Sequence, residues 1–276
     1  MKKTKILANG AAVDIYSTDT SHPKYMIYLH GGGLIYGSKS DLPENLTQVF
    51  LKHGYTVLAL DYLLAPNSQL ADIIASLAET FQLLKDELIQ QQPFSLCGRS
   101  AGGYLMVQLT KHLVSQQLSP TCLINFYGYT DLTFITQQRP LQLKQITTSA
   151  ITAIDQKTPL WDDPFLSRYL LYHYACQHQL LAKFYGLSET SDWTAYSVTA
   201  EELRSFPPCF STASSFDEEV PFRYSKFIGR SIPESTFSPV YYLQHDFLKQ
   251  PQETQVVELF QKLDQWLTTQ NTVKSG

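Results

Sequence analysis

Residues 95–106 read SLCGRSAGGYLM, with Ser100 between Gly98 and Gly102 and a further glycine at 103. The residues just upstream, FSLCG, form a short apolar run of strand type. Those downstream, AGGYLMVQLTKHLVSQQ, are apolar at helical spacing. A strand that runs straight into a helix must bend sharply. Glycines on either side of the bend permit it and let helix and strand approach where a Cβ would obstruct. The serine hydroxyl is then left standing at the turn. Unpaired amides of the helix N-terminus sit beside it, where they favour negative charge. A GxSxG pentapeptide also arises by chance in surface loops; the strand and helix on its flanks argue against that here.

The pattern around the elbow repeats. KYMIYLHGGG (24–33) is an apolar run ending in glycines, YTVLALDY (55–62) is β-rich, and ADIIASLAETFQLLKDEL (71–88) is helical. TCLINFYG (121–128) and PPCFSTAS (207–214) read as strands, PFRYSKFIGR (221–230) as a helix and VYYLQH (240–245) as a last strand. A final helix over 252–269 carries Val256, Phe260, Leu263 and Leu267 on one face. Strands alternating with helices predict an α/β fold with a mostly parallel sheet covered on both faces.

The alternation breaks between Asp131 and Phe206. This stretch holds Trp161, Phe165, Tyr169, Tyr172, Tyr174, Phe184, Tyr185, Trp193 and Tyr196, and linkers are not this aromatic. We read one domain over residues 1–276 with an inserted helical cap at 133–205. The aromatic residues serve either extra core packing or a lid over a pocket. Asp162, Asp163, Arg168 and His173 intersperse them, so no extended apolar surface for a lipid interface is expected.

Composition bounds the rest. The 276 residues are 43% hydrophobic and 17% charged, with a net charge of −4, which suits one large α/β unit and gives no basic surface for nucleic acid. No apolar run is long enough to span a membrane. The start, MKKTKILANGAAVDIY, is basic like a secretory leader, but Asn9, Gly10 and Asp14 interrupt its apolar run, so it reads as a mature N-terminus. Cys97, Cys122, Cys176 and Cys209 form no CxxC pair, and three lie in or beside apolar runs. A reducing cytoplasm fits better than a disulfide framework.

A serine hydroxyl needs a base and oxyanion donors. His30-Gly31-Gly32-Gly33 follows a strand, so its amides can approach a ligand closely. No Walker lysine or GxGxxG accompanies it, and a nucleotide site is poorly supported. Among the seven histidines, His245 lies late and ends the run VYYLQ, whereas His112 is on the helix after the elbow and is simplest as a surface residue. His22 and His53 carry no motif. His173, Cys176 and His178 do not share one helical face and have no evident fourth partner, so no metal is expected.

Together, HGGG at 30–33, DYLLAP at 61–66, GRSAGG at 98–103 and the late acid and histidine resemble the α/β-hydrolases, and among them the esterases related to hormone-sensitive lipase and bacterial acetyl esterases. The resemblance covers most of the chain outside the cap. It implies a nucleophile at Ser100, a base at His245 and an acid between them. It implies oxyanion donation by the amides of Gly32, Gly33 and Ala101, with His30 organising their loop. For the acid, Asp217 in STASSFDEEVPF stands just before Val-Pro, while Asp131, after the preceding strand, is its rival. Asp217 fits better between the nucleophile and base strands, and Glu218 and Glu219 read as solvated. The chain departs from the family pattern at Arg99, where Asp is frequent, and at Leu63, where Arg is frequent. Arg99 would favour an anionic substrate group, pair with a cap carboxylate, or face solvent. The reading is a serine carboxylesterase for short-acyl or aryl esters, without cofactor or metal. Its partner is a small-molecule ester, with no nucleic acid or membrane involved. Alternatives are an amide, formamide or peptide hydrolase with the same triad, or a non-catalytic receptor on this fold.

Overall fold

The computed structural model describes residues 2–17, 23–139 and 144–272. His22 and residues 140–143 of the inserted stretch lie outside the described residues. The strands are β1 (Lys2–Ile6), β2 (Ala12–Tyr16), β3 (Lys24–Leu29), β4 (Tyr55–Leu60), β5 (Phe94–Arg99), β6 (Leu123–Phe126), β7 (Cys209–Thr212) and β8 (Thr236–Phe237). The helices are α1 (Glu44–Lys52), α2 (Leu70–Leu84), α3 (Ala101–Ser115), α4 (Thr148–Ile151), α5 (Tyr169–Gln177), α6 (Leu181–Phe184), α7 (Ala200–Leu203), α8 (Arg223–Ser231) and α9 (Thr254–Thr272).

The basic opening residues become an edge strand. β1 and β2 form an antiparallel hairpin turned at Gly10 (φ +93°), and Lys2 pairs with the buried Asp14. The sheet order is β1-β2-β4-β3-β5-β6-β7-β8, and from β4 onward every pairing is parallel. The central strands β4, β5 and β6 are buried along their whole length, as a sheet covered on both faces requires. Two apolar clusters lie on its two sides. One gathers α2, α3 and the inserted stretch; the other gathers α1 and α9, with Val256, Leu263 and Leu267 fully buried. All four cysteines are buried and none is in a disulfide.

Two expectations are corrected. VYYLQH is not a strand: Val240 makes a single bridge to Ser214, and Tyr242 takes a left-handed φ of +59° that ends extension. β8 lies earlier, at Thr236–Phe237. Tyr241 and Tyr242 point to solvent, so strand-type residues here had no neighbour to pair with. The second correction concerns the stretch between β6 and β7. Asp163, Arg168 and His173 are buried, whereas Phe165, Leu166, Tyr169 and Leu170 are exposed. Asp163 and Arg168 are hydrogen-bonded there, while His173 packs against the rings of Tyr169 and Tyr172. Arg168 donates to the carbonyls of Ile35 (2.8 Å), Ala65 (2.8 Å) and Asp155 (2.7 Å) and to Asn67 Oδ1 (2.6 Å). One guanidinium thereby ties α5 to the loops after β3 and β4.

Candidate active site

In parallel sheets, side chains that follow strands gather at the C-terminal edge. Ser100 follows β5, the glycine loop follows β3, Asp217 follows β7, and His245 lies beyond β8. Ser100 adopts φ +50° and ψ −117°, a conformation that costs a non-glycine residue about 1–3 kcal/mol. The surrounding packing holds it there. A Cβ on Gly98 would meet Gly102 O at 2.3 Å, and one on Gly102 would meet Leu29 O at 2.1 Å. The elbow therefore closes only with glycine at both positions.

Ser100 Oγ lies 2.8 Å from His245 Nε2, and His245 Nδ1 lies 2.6 Å from Asp217 Oδ2. The second oxygen of Asp217 accepts the amides of Glu219 and Val220, both at 2.9 Å, so its carboxylate is fixed. Burial alone would lower the pKa of His245. The charges of Asp217, then Glu219 and Asp246, outweigh that and raise it to about 9. Asp131 is elsewhere, accepting from Thr133 N (2.9 Å) and Tyr224 OH (2.8 Å) as a turn residue.

Gly32 (φ +107°) and Gly33 (φ +58°) line the same cleft as Ser100 and His245, a space of about 300 Å³. A Cβ on Gly32 would overlap Tyr36 O at 1.9 Å, and one on Gly33 would overlap the Tyr172 ring at 2.2 Å. Ala101 opens α3 directly after Ser100. His30 is fully buried and stacks on Tyr62 with ring centroids 4.1 Å apart. It donates from Nδ1 to Gly31 O (2.7 Å), and burial pushes its pKa down. It shapes the loop as a neutral ring.

Several residues in the cleft escaped the sequence reading. Glu219 is half-buried, lines the cleft and accepts from Tyr172 OH at 3.2 Å, so it is not a solvated carboxylate. Tyr36 and Tyr169 line it too. Arg99 corrects two of its readings: it is buried rather than solvent-facing, and its partners Asp246 and Asp41 lie outside the inserted stretch, while it lines the cleft beside Ser100. Leu63 is half-buried against the core. Nothing in the sequence within a few residues of Arg99 or Glu219 announces these contacts. His173 and Cys176 are buried among rings, Cys176 accepting from Arg139 Nη2 at 2.6 Å, and His178 is exposed. His112 is exposed on α3.

With this geometry in hand, comparison with known proteins is informative. A family model described as the alpha/beta hydrolase fold matches residues 26–218. The match spans the glycine loop, the elbow and Asp217 and stops short of His245. The chain belongs to the α/β-hydrolase fold family. It is similar to an alpha/beta hydrolase superfamily protein from Enterococcus faecalis whose crystal structure is 63% identical, with a TM-score of 0.95 over 97% of this chain and 98% of that one. It is also similar to an esterase of Acinetobacter venetianus, 26% identical over 146 residues, 52% of this chain and 48% of the relative. The chain thus aligns with about half the length of that curated relative. An esterase from Pyrobaculum calidifontis is 16% identical with a TM-score of 0.68 over 98% of this chain and 84% of that one, a likeness of fold alone. Among the described residues no helix is long and apolar enough to cross a membrane.

Proposed function

We propose that the protein is a serine carboxylesterase that cleaves small esters through Ser100, His245 and Asp217. The observation that carries this is the hydrogen-bonded line from Ser100 Oγ through the His245 ring to Asp217 Oδ2, at 2.8 and 2.6 Å, beside the glycine loop. His245 Nε2 takes the serine proton as Oγ bonds to the ester carbonyl carbon, and the carbonyl π pair moves onto oxygen. The amides of Gly32, Gly33 and Ala101 hold that oxyanion. Its collapse breaks the C–O bond, and the leaving alkoxide takes the proton from His245. Water, deprotonated by the same ring, then releases the acid and restores Ser100. Asp217 keeps Nδ1 protonated and stabilises the charged ring.

In this reading residues 1–276 act as one unit, and residues 133–205 roof the cleft, with Tyr169 and Tyr172 of α5 nearest to it. Buried cysteines outside any disulfide suit a reducing cytoplasm. A non-catalytic receptor on this fold has no need to keep all three side chains within hydrogen-bond reach. A fluorophosphonate probe should label the protein stoichiometrically at Ser100, and p-nitrophenyl acetate should be hydrolysed. Labelling that persists in Ser100→Ala, or never occurs on folded protein, rules the reading out.

A further inference from the structure

We propose that Arg99 and Asp246 form a latch that holds His245 in register with Ser100, a positioning pair for the reaction proposed above. Arg99 is the residue before Ser100, and Asp246 the residue after His245. Their side chains join beside the two reacting residues: Arg99 Nη2 lies 2.8 Å from Asp246 Oδ1. The same oxygen accepts Tyr127 OH at 2.9 Å, and Lys249 Nζ is 2.7 Å from the other oxygen. Arg99 Nη1 also donates to Asp41 O at 3.0 Å, with Nη2 3.5 Å from Asp41 Oδ2. The guanidinium is thereby fixed from two sides in a site where its side chain is only 4% exposed.

The latch has a task because the segment bearing His245 is not held by a sheet. Beyond the Val240 bridge, residues 241–253 form turns, with a short 3-10 turn at Phe247–Lys249. Asp217 orients the imidazole through one nitrogen but does not fix the backbone that carries it. Ser214 holds that backbone on one side, through Leu243 N at 3.1 Å. Arg99 holds it on the other. Its fork is anchored to the end of β5, the strand that also sets Ser100, so serine and histidine share one reference frame.

The test is a cycle of wild type, R99M, D246N and the double variant on p-nitrophenyl acetate. Each single variant should lower kcat roughly 10–100-fold, the effect of a small misplacement, with KM changed far less. The double variant should be no worse than R99M, because D246N removes the charge that pairs with the guanidinium, and that loss no longer counts once the guanidinium is gone. R99K should recover part of the loss. The pH profile reports the charges beside the ring. The charged and polar groups around His245 are Asp217, Glu219, Asp246, Lys249, Arg99 and the Tyr127 ring. D246N removes a negative charge and should move the limb to lower pH. R99M leaves Asp246 less compensated and should move it to higher pH. These shifts follow from charge alone, so the positioning role is read from kcat against KM on the alkaline plateau and from the rescue by R99K. Losses that multiply in the double variant, or a D246N enzyme with plateau kcat within twofold of wild type, overturn the latch. If R99M does not fold, D246N and R99K decide by the same criteria. Fluorophosphonate labelling of the wild type keeps the two ideas apart. An unlabelled wild type removes the hydrolase reading and the latch with it. A labelled wild type whose variants react equally fast removes the latch alone.

Discussion

His245 is the residue on which the chemistry turns, and its surroundings set a measurable pH dependence. Burial works against its charged form, but Asp217, Glu219 and Asp246 prevail and raise its pKa to about 9. In the proposed mechanism the neutral ring is the base, so kcat/KM should rise with pH through a limb on the alkaline side of 6.5 and level off above it. A limb below 6.5, with chemistry rate-limiting, contradicts that environment. The acid is tested by two substitutions. Asp217→Asn keeps the shape but removes the charge that stabilises the imidazolium, and should cost about 10⁴-fold in kcat. Asp131→Asn should stay near wild type, because an amide oxygen still accepts from Thr133 and Tyr224. Circular dichroism of both variants checks the fold, and an inverted order of activities would transfer the role to Asp131.

At the level of elements, the site depends on how closely α3 lies against β3 and β5. Gly102→Ala would drive a methyl into Leu29 O at 2.1 Å and His30 O at 2.4 Å, and backbone cannot yield as a side-chain tip does. We expect roughly 1–3 kcal/mol of lost stability and slower labelling of Ser100, since the helix must back away from the strand that carries the glycine loop. Gly54→Ala is the control. Unlike Gly102 it has a positive φ (+76°), but its nearest neighbour would be Lys24 Cε at 3.9 Å, so only conformational strain remains. Urea melts of the two variants, with labelling rates beside them, separate crowding from φ. Similar losses of labelling in both would mean that the elbow does not depend on this packing. The misread strand at 240–245 belongs to this scale as well. Val-Tyr-Tyr-Leu favours extension locally, but β8 already closes the sheet edge at Thr236–Phe237, and the chain must turn to bring His245 over Ser100.

For the whole molecule, the cleft of about 300 Å³ admits a small ester and leaves little room for long acyl chains. Across p-nitrophenyl esters of increasing acyl length, kcat/KM should peak at the short end and fall steadily. A maximum at long chains would mean that the roof opens. The outward Phe165, Leu166 and Leu170 flank Tyr169, which lines the cleft, so the same panel run above and below micelle formation reports on that face. The roof itself hangs on Arg168. Arg168→Met strips hydrogen bonds from three carbonyls, each about 1–3 kcal/mol if left buried and unpaired. Limited proteolysis should then cut within residues 144–168 well before the sheet core. Unchanged proteolysis would show that the roof is held by its apolar packing alone.

The sequence alone determined what short-range chemistry dictates. Strand–helix alternation and the glycines of the elbow and of the loop at 30–33 are patterns spanning a few residues, and each reflects a local steric need; the order serine, acid, histidine is what the family resemblance implies. Asp217 was preferred over Asp131 by its place in that order. Tertiary structure decided what depends on strands distant in the chain becoming neighbours. His245 meets Ser100 across 145 positions, and Arg99 meets Asp246 across 147. The composition near Arg99 is as compatible with solvent as with a buried ion pair, because its partner is chosen by sheet order and by the turn after β8. Glu219 faces the cleft for the same kind of reason. Asp217 accepts its amide and that of Val220, which fixes the local turn, while α5, from a stretch whose pattern specified little, supplies the Tyr172 hydroxyl that donates to its carboxylate.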